Sequence, residues 1–290
     1  MALNLYTSNR LEILARQCGE IFRRQPLPPL EPEIVVVQSR GMARWLAMEM
    51  AGLLTVWANG HCPFPNRFVA EIFNRVLSVD EQPAFERGRA CWQLMALLAE
   101  LRQEPAFRHL AAPLDDPLHR FQLAGQLADL FDQYIIYRPD LISSWENGGD
   151  GGWQALLWQR FVSRHGQVHR AALLSRFLQA LRENSQADLP GRVTLFGISS
   201  LPPFHLEVFH ALSEQIPVNL FFMNPCRHWW GDILPEREIA RRVVRQAGDA
   251  GALYLESGNP LLASMGHVAR DFLILLQERD CLEQELFEAP

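Results

Sequence analysis

The sequence predicts an α/β protein in which a parallel-sheet domain is split by an inserted all-helical domain. Three observations predict this fold. Strand and helix patterns alternate near the start, only helical patterns occur from roughly Glu71 to Asp188, and the alternation then returns. We therefore expect an α/β domain in two segments, residues 1–74 and 189–290, around a helical domain at residues 75–188.

The first unit is a short apolar strand at residues 3–7, followed directly by an amphipathic helix. Asn9 and Glu12 have the spacing of a capping box, which places the start of the helix between them. The apolar face of this helix comprises Leu11, Leu14, Ala15, Cys18, Ile21 and Phe22.

The second unit begins after a Pro-rich connector at residues 26–32. Residues 34–37 form an unbroken apolar run, which is typical of a strand covered on both faces. Ser39 is a suitable N-cap for a second helix that presents Met42, Trp45 and Leu46.

The middle of the chain contains four apolar faces with helical spacing and a glycine-rich loop at residues 148–152. Beyond it, residues 193–196 predict a strand, residues 197–200 a turn, and Pro202-Pro203 a helix start. Residues 218–222 predict the next strand. The four helical faces begin at Cys91, Leu123, Trp153 and Leu173.

The composition is that of an ordinary globular chain, with 48% hydrophobic and 21% charged residues among 290. The net charge of −6 argues against a generic nucleic-acid coat, so any such role needs a local arginine groove or a larger assembly. The five cysteines are scattered and form no CxxC, and no signal peptide or membrane-length apolar run is evident. We expect a cytoplasmic protein without membrane contact.

All 27 basic side chains are arginines, and the sequence contains no lysine. A P-loop requires a lysine on the phosphates, and Schiff-base chemistry requires a lysine amine. Arginine replaces neither as a base nor as a nucleophile, because it stays charged at any working pH. These residues therefore hold no lysine-dependent active site, whether codon bias or selection removed the lysines.

Several strings, in order along nearly the whole chain, carry a resemblance to a known family. The sequence resembles the N-terminal region of the RecC family, the gamma chain of exodeoxyribonuclease V. Members of that family are several times longer, so we expect an N-terminal portion, with the acidic residues 283–290 at a truncation boundary. The strings are LYTSNRLEIL, EIVVVQSRGMARWL, ADLFDQYIIYRPD, LFGISSLPPFHLEVFHAL, NPCRHWWGDI and GNPLLASMGHVARDF.

The resemblance implies a P-loop-helicase-like fold, a degenerate superfamily-1 helicase domain that has lost ATP hydrolysis. Where an active helicase has a glycine-rich loop ending in Lys and Ser/Thr, residues 7–10 read Thr-Ser-Asn-Arg. We expect no cofactor in this chain, and ATP and magnesium only in partner subunits.

The resemblance also implies a non-catalytic DNA-binding subunit of exodeoxyribonuclease V. It would guide single-stranded DNA from unwound duplex ends, scan it for Chi-type sequences, and act in recombinational repair of double-strand breaks. Its partners would be a RecB-type beta subunit and a RecD-type alpha subunit. Two alternatives remain: a structural scaffold without DNA contact, and an active ATP-dependent helicase or nuclease, against which the missing lysine argues.

The residues that scan DNA in the family map onto ten positions of this sequence. Arg40, Arg44, Phe64 and Ala70 depart from the best-known members, so we expect the recognised sequence to differ or to be read less stringently. The ten positions are Gln38, Arg40, Arg44, Phe64, Ala70, Asp129, Leu130, Asp132, Arg138 and Arg170.

The chemistry of these side chains suits DNA. Gln38 precedes a helix N-terminus, where amide groups and the helix dipole favour phosphate. Phe64 lies between two prolines and offers a stacking surface for a base. Asp129 and Asp132 are acceptors for amino groups of cytosine or guanine, although a solvated helix face explains them equally well. Arg138, before a proline, is otherwise a cation at a helix end.

Other candidates are weaker. His165 and His169 have i,i+4 spacing, but Gly166 weakens the helix and no third metal ligand accompanies them. Cys226 and His228 indicate local packing, and Trp229 and Trp230 core or interface aromatics. A basic helix edge indicates a solvated face first and phosphate or partner contact second. This edge comprises Arg241, Arg242 and Arg245.

Overall fold

The structure, a computed structural model, describes residues 3–79, 83–110, 114–183, 188–246 and 258–288. These residues contain a six-stranded sheet, in the order β3-β2-β4-β5-β1-β6, in which all neighbouring strands are parallel. The predicted α/β class with a parallel sheet is confirmed. The strands are β1 Leu3–Ser8, β2 Glu33–Val36, β3 Gly60–His61, β4 Val193–Phe196, β5 Val218–Met223 and β6 Cys281–Glu285.

The sheet is buried because helices cover its apolar strands. All four residues of β4 and the first five of β5 are buried, as a central parallel strand requires. On one face, α1 (Leu11–Arg24) and α2 (Arg40–Leu54) pack side chains such as Leu14, Cys18 and Met50 against Phe196 and Phe221. The apolar runs that predict these strands are therefore core residues.

The start of α1 differs from the sequence prediction. The capping box of Asn9 and Glu12 is wrong, because the N-cap is Arg10 and its side chain makes no capping hydrogen bond. Ser8 serves the turn instead: its Oγ accepts a hydrogen bond from the Arg10 amide at 3.3 Å and donates to the Leu286 carbonyl at 2.9 Å. The hydroxyl of Ser8 at the end of β1, rather than the side-chain amide of Asn9, orders this turn.

Ser39 caps α2 as predicted, since its Oγ accepts a hydrogen bond from the Met42 amide at 3.0 Å. The predicted helix start at Pro203 is also confirmed. The other helices outside the middle of the chain are α3 Pro65–Leu77, α9 Pro203–Ser213, α10 Glu236–Gln246, α11 Pro260–Met265 and α12 His267–Gln277.

The middle of the chain is helical, and the described residues between 71 and 188 contain no strand. Two 3₁₀ segments, Pro83–Phe85 and Pro105–Leu110, accompany the helices. The core combines leucines with aromatics such as Phe131, Trp158 and Phe161. The helices are α4 Arg87–Leu101, α5 Pro117–Tyr137, α6 Pro139–Glu146, α7 Gly152–His165 and α8 Arg170–Glu183.

Residue contacts group the chain into two compact units. Unit 1 comprises residues 1–68, 190–201 and 209–290, and unit 2 comprises residues 69–189 and 202–208. The predicted domain limits at residues 74, 75, 188 and 189 stay a prediction. Among the described helices, none has both the length and the apolar composition needed to cross a bilayer.

Candidate nucleic-acid interface

The predicted site residues of unit 1 lie at the carboxyl edge of the sheet, where parallel α/β folds usually bind ligands. Exposed Gln38 follows β2, and the turn after the adjacent strand β4 holds its amide. The Gln38 Nε2 donates to the Ser200 carbonyl at 2.8 Å, while Oε1 accepts from the Ser199 amide at 3.3 Å and its Oγ at 3.2 Å. Gln38 therefore joins two strand ends and retains little free hydrogen-bonding capacity.

The turn after β4 depends on Gly197. Its φ of +62° is unfavourable for other residues, and a Cβ there would lie 2.7 Å from Cε of Met42. The Gly197 amide also donates to the Phe221 carbonyl at 3.2 Å. A glycine is therefore needed to bring Ser199 and Ser200 within reach of Gln38.

Arg40 and Arg44 lie one turn apart on the first part of α2, and both are exposed. Within the part of the chain that the structure describes, neither guanidinium makes an ion pair or a hydrogen bond. Both charges are therefore available to an anionic ligand beside the N-terminus of α2, where the helix dipole adds to their field.

Phe64 lies at the same edge of the sheet, after β3. The Val37 amide donates to the Pro63 carbonyl at 3.1 Å, which places Phe64 beside the end of β2. The Phe64 side chain is 41% exposed. An exposed ring between two prolines suits the stacking of a base. Ala70, on α3, is exposed and has no side chain for such a contact.

The turn at residues 7–10 is occupied by hydrogen bonds from the same chain. The Leu286 amide donates to the Thr7 carbonyl at 2.7 Å, and the Asn224 amide donates to the Ser8 carbonyl at 2.9 Å. Arg10 also lies within ion-pair distance of Glu288, at 3.7 Å. With neither a glycine-rich stretch nor a lysine, these residues do not fit the triphosphate cradle of a P-loop.

In unit 2, Asp129 lies on α5 and forms an ion pair with Arg87 at the start of α4. The Arg87 Nη2 donates to Asp129 Oδ2 at 2.7 Å, and Nε contacts the other carboxylate oxygen. The neighbouring Leu130 is only partly buried and packs against the helical core. Asp129 is thus not a simple solvated carboxylate, because the Arg87 guanidinium donates to one of its oxygens and contacts the other.

Asp132 lies one helical turn further along α5 and pairs with Arg170, the first residue of α8. The Arg170 Nη1 lies 3.4 Å from Asp132 Oδ1. Arg170 also acts on His205, which is 3% exposed. Burial, and secondarily the Arg170 charge, lower the pKa of His205 from 6.5 to about 4, so this ring is neutral at pH 7.

Arg138 ends α5 before Pro139, as the sequence predicts. It forms a two-pronged contact with Asp140, with Nε–Oδ1 and Nη2–Oδ2 distances of 3.3 Å. Hydrogen bonding with Asp140 raises the pKa of Arg138, and the same bond lowers the pKa of Asp140. Both side chains are exposed, so this contact orients a guanidinium at the helix end.

The structure therefore brings Gln38, Arg40 and Phe64 to one edge of unit 1, and Asp132 together with Arg170 in unit 2. Sequence reasoning missed Arg87 and His205. Arg87 lies 42 residues from Asp129, and no local spacing reveals a contact between two helices. His205 is equally remote in sequence from Arg170.

The two histidines at positions 165 and 169 do not share a helix. The α7 helix ends at His165, and Gly166 has a φ of +84°. His169 is buried, and its Nε2 lies 2.7 Å from Oε1 of Glu146. Its Nδ1 accepts from the Ala172 amide at 3.4 Å, so Nε2 carries the proton and donates. Among the described residues, no group of three or more His, Cys, Asp or Glu is placed to hold a metal.

The two tryptophans differ. Trp230 is buried, and its Nε1 donates to Asn224 Oδ1 at 2.9 Å, which confirms it as a core aromatic. Trp229 is 52% exposed and donates to Asp232 Oδ2 at 2.7 Å. Trp229 is therefore not a core residue, and its alternative interpretation as an interface aromatic stays a prediction.

The fold and these side chains define a parallel α/β protein with exposed cations and an exposed aromatic ring at the carboxyl edge of its sheet. The RecC N-terminal domain family matches residues 3–290, and the chain belongs to this family.

The relatives are all named as RecBCD enzyme subunit RecC. The protein from Escherichia coli (strain K12) is 37% identical, over 97% of this chain and 29% of its own length. The protein from Haemophilus influenzae is 30% identical, over 94% of this chain and 30% of its own length. The protein from Mycolicibacterium smegmatis is 29% identical, over 97% of this chain and 26% of its own length. The chain thus spans less than a third of the length of each of these three relatives.

Proposed function

We propose that this chain is the part of a RecC subunit that guides single-stranded DNA and takes part in recognising Chi-type sequences. It acts within an exodeoxyribonuclease V complex with RecB-type and RecD-type subunits, in the cytoplasm, during repair of double-strand breaks. The family membership supports the subunit role. The observation that carries DNA binding is the pair of exposed arginines, Arg40 and Arg44, without an acidic partner in the described structure.

These two cations suit a phosphate backbone because guanidinium groups bind phosphate oxygens in a bidentate manner. Arg40 begins α2, whose N-terminal amides suit an anion, and Arg44 follows one turn later. Phe64, whose exposed ring suits a base, follows β3 at the same edge of the sheet. Cations and an exposed aromatic ring at one edge are the combination that single-strand binding proteins use.

We propose that the chain itself is non-catalytic. The absence of lysine and the turn at residues 7–10, whose backbone carbonyls are bound by Leu286 and Asn224, both argue against a functional P-loop. Purified chain is expected to hydrolyse no ATP and to degrade no DNA. Hydrolysis of either above the level of an empty-vector preparation would contradict this proposal.

Single-strand binding is tested by fluorescence anisotropy with a labelled oligonucleotide over a series of salt concentrations. Binding to phosphates gives a linear fall of log affinity with log salt, by about 0.7 per contact for single strands. Replacing Arg40→Gln and Arg44→Gln together should therefore flatten the slope by about 1.4. The matched control is Arg160→Gln with Arg182→Gln, two exposed arginines that also lack a partner in the described structure. Equal slopes in both variants would contradict this site.

We further propose that the recognised sequence differs from the usual Chi sequence, or is read less stringently. The family resemblance implies that four positions depart from the best-known members and that five match. The departing positions are Arg40, Arg44, Phe64 and Ala70, and the matching ones are Asp129, Leu130, Asp132, Arg138 and Arg170. The test is selection of single strands from a random pool by the assembled complex. Enrichment of the usual Chi sequence would contradict this part of the proposal.

The second candidate is a structural scaffold without DNA contact. One observation favours it: Asp129, Asp132, Arg138 and Arg170 are all engaged in ion pairs with their own chain. Crosslinking of single-stranded DNA to the assembled complex separates the two functions. Loss of crosslinks on replacing Arg170→Gln or Asp132→Asn supports scanning, and a complete absence of crosslinks to this chain supports the scaffold.

A further inference from the structure

The α10 helix, Glu236–Gln246, carries a row of arginines that the proposed site does not include. Arg237, Arg241 and Arg245 are separated by four residues each, so they form one stripe along the helix. Because an α-helix rises 1.5 Å per residue, successive members lie about 6 Å apart along its axis. The sequence predicts a basic edge of Arg241, Arg242 and Arg245. In the structure the stripe contains Arg237 instead of Arg242.

Arg242 is not part of this stripe. It forms an ion pair with Glu238 one turn before it, with Nη2 and Oε1 3.0 Å apart. In contrast, Arg237, Arg241 and Arg245 are exposed and make no ion pair within the described residues. One arginine is thus neutralised on the helix itself, and three of the same sign remain in a row.

The opposite side of α10 is apolar. Ile239 and Val243 are half-buried and lie roughly 160° around the helix from the stripe, at 100° per residue. The helix therefore has one partly covered face and presents the three arginines on the other. A shallow cleft of about 420 Å³ between side chains of this helix is lined by Glu238, Arg241, Arg242 and Arg245.

We propose that Arg237, Arg241 and Arg245 form a track that binds consecutive phosphates of a single DNA strand. This inference rests on the proposed function, because it extends the path of the same single strand beyond Arg40 and Arg44. Each guanidinium binds one phosphate, since the rise between arginines is similar to the separation of phosphates in an extended strand. No base is read there, because phosphate contacts carry no sequence information.

Charge complementarity selects this occupant. The chain as a whole has a net charge of −6, so three adjacent cations without an ion pair among the described residues oppose the general charge and repel one another. A polyanion with evenly repeated charges relieves that repulsion along the whole row. An acidic protein segment repeats its carboxylates evenly only where its own sequence does, whereas every nucleotide of a strand carries a phosphate, which makes the peptide the weaker match for a regular row.

The test is salt-dependent binding of a fluorescent, mixed-sequence single strand to the 290-residue chain. The variant replaces Arg237→Gln, Arg241→Gln and Arg245→Gln together. Loss of three phosphate contacts should flatten the slope of log affinity against log salt by about 2. If the variant and the wild type bind equally at 1 M salt, this change in slope makes the variant bind roughly 100-fold more weakly at 0.1 M salt. A second variant with lysine at all three positions should keep most of the slope, because lysine retains the charge.

A charge-matched control replaces Arg108→Gln, Arg160→Gln and Arg182→Gln, which are exposed and without an ion pair in the described structure. Circular dichroism confirms that each variant is folded, and the comparison uses folded variants only. If wild-type chain binds single strands and the triple α10 variant keeps its slope, the track is overturned while the proposed function stands. If wild-type chain binds no single strand at all, both are overturned.

Two further arms identify the source of the phosphate. Inorganic phosphate at matched ionic strength should not displace the strand, because one ion occupies one arginine and lacks the repeated charge. Displacement at low millimolar phosphate would overturn the track in favour of a local anion site. A labelled acidic peptide of equal net charge should bind at least 10-fold more weakly than the oligonucleotide, and equal binding would overturn the choice of occupant.

Discussion

Protonation of His205 should destabilise the helical unit as the pH falls. His205 is buried, and burial together with the nearby Arg170 lowers the pKa of this ring from 6.5 to about 4. In the unfolded chain the same histidine titrates near 6.5. Between these two values the unfolded state binds more protons than the folded state, so stability is lost as the pH falls from about 6.5 to about 4.

The size of the effect follows from the two pKa values. The gap between 6.5 and about 4 corresponds to about 3 kcal/mol when fully expressed, at 1.36 kcal/mol per pH unit. At pH 4.5 the unfolded histidine is almost fully protonated, whereas the folded one is protonated in about a quarter of the molecules. Linkage then gives a loss of about 2.5 kcal/mol between pH 7 and pH 4.5.

The assay is urea unfolding at pH 7 and pH 4.5 for wild-type chain and for His205→Gln, which is neutral at both values. Carboxylates also titrate over this range, but they do so in both proteins and cancel in the comparison. The wild type should lose about 2.5 kcal/mol more than the variant. Replacing Arg170→Gln should raise the pKa of His205 and reduce the loss, because a neighbouring positive charge is removed.

Equal losses in the wild type and His205→Gln would refute the reasoning. An NMR titration gives a direct second measurement, since the ring resonances of His205 should change near pH 4. A midpoint near 6.5 would mean that the ring is hydrated in solution, and the burial of His205 would then be wrong.

Three further predictions concern unit 1. Replacing Arg192→Met should cost about 3–5 kcal/mol in urea unfolding, because it removes the buried partner of the partly buried Glu33. Adding Glu33→Gln should recover part of this loss, and no recovery would contradict the ion-pair explanation. Ser39→Ala should cost about 1 kcal/mol by the same assay, since the Met42 amide loses its cap, and an unchanged stability would contradict the cap. Cys18 should resist thiol reagents at pH 8 until the chain unfolds, because burial raises the pKa of its thiol well above its usual value. Mass spectrometry identifies the labelled cysteine, and rapid labelling of Cys18 would contradict its burial.

Much of the fold could be predicted because its signals are local. The apolar runs at residues 34–37 and 193–196 predict the strands β2 and β4, and Ser39 and Pro203 mark helix starts by their own chemistry. The capping box at Asn9 failed because its spacing is also local, whereas the hydroxyl of Ser8 bonds to Leu286, which lies 278 residues away. The short strand β6 was not expected, since its sequence, Cys-Leu-Glu-Gln-Glu, is largely exposed and lacks an apolar run.

The candidate site was less predictable than the fold, because its state depends on contacts between remote residues. The sequence identifies Asp129 and Asp132 as acceptors, but only the structure gives them Arg87 and Arg170 as partners. Arg40 is the opposite case, an arginine for which the structure gives no acidic partner among the described residues. The pattern does not reveal whether an arginine has an acidic neighbour.

The ion pairs of unit 2 do not bar the proposed base contacts. Arg87 and Asp129 are 72% and 37% exposed, and Arg170 and Asp132 are 26% and 37% exposed, so solvent screens both pairs. Opening an exposed pair costs about 0–1 kcal/mol, and a good bidentate contact to a base edge gives about 1–3 kcal/mol of discrimination against the wrong base. On the proposed function, a base that engages Asp132 takes the place of Arg170 at this carboxylate. On the proposed function, salt dependence comes mainly from the unpaired arginines of unit 1, and sequence discrimination from the carboxylates that exchange an arginine for a base.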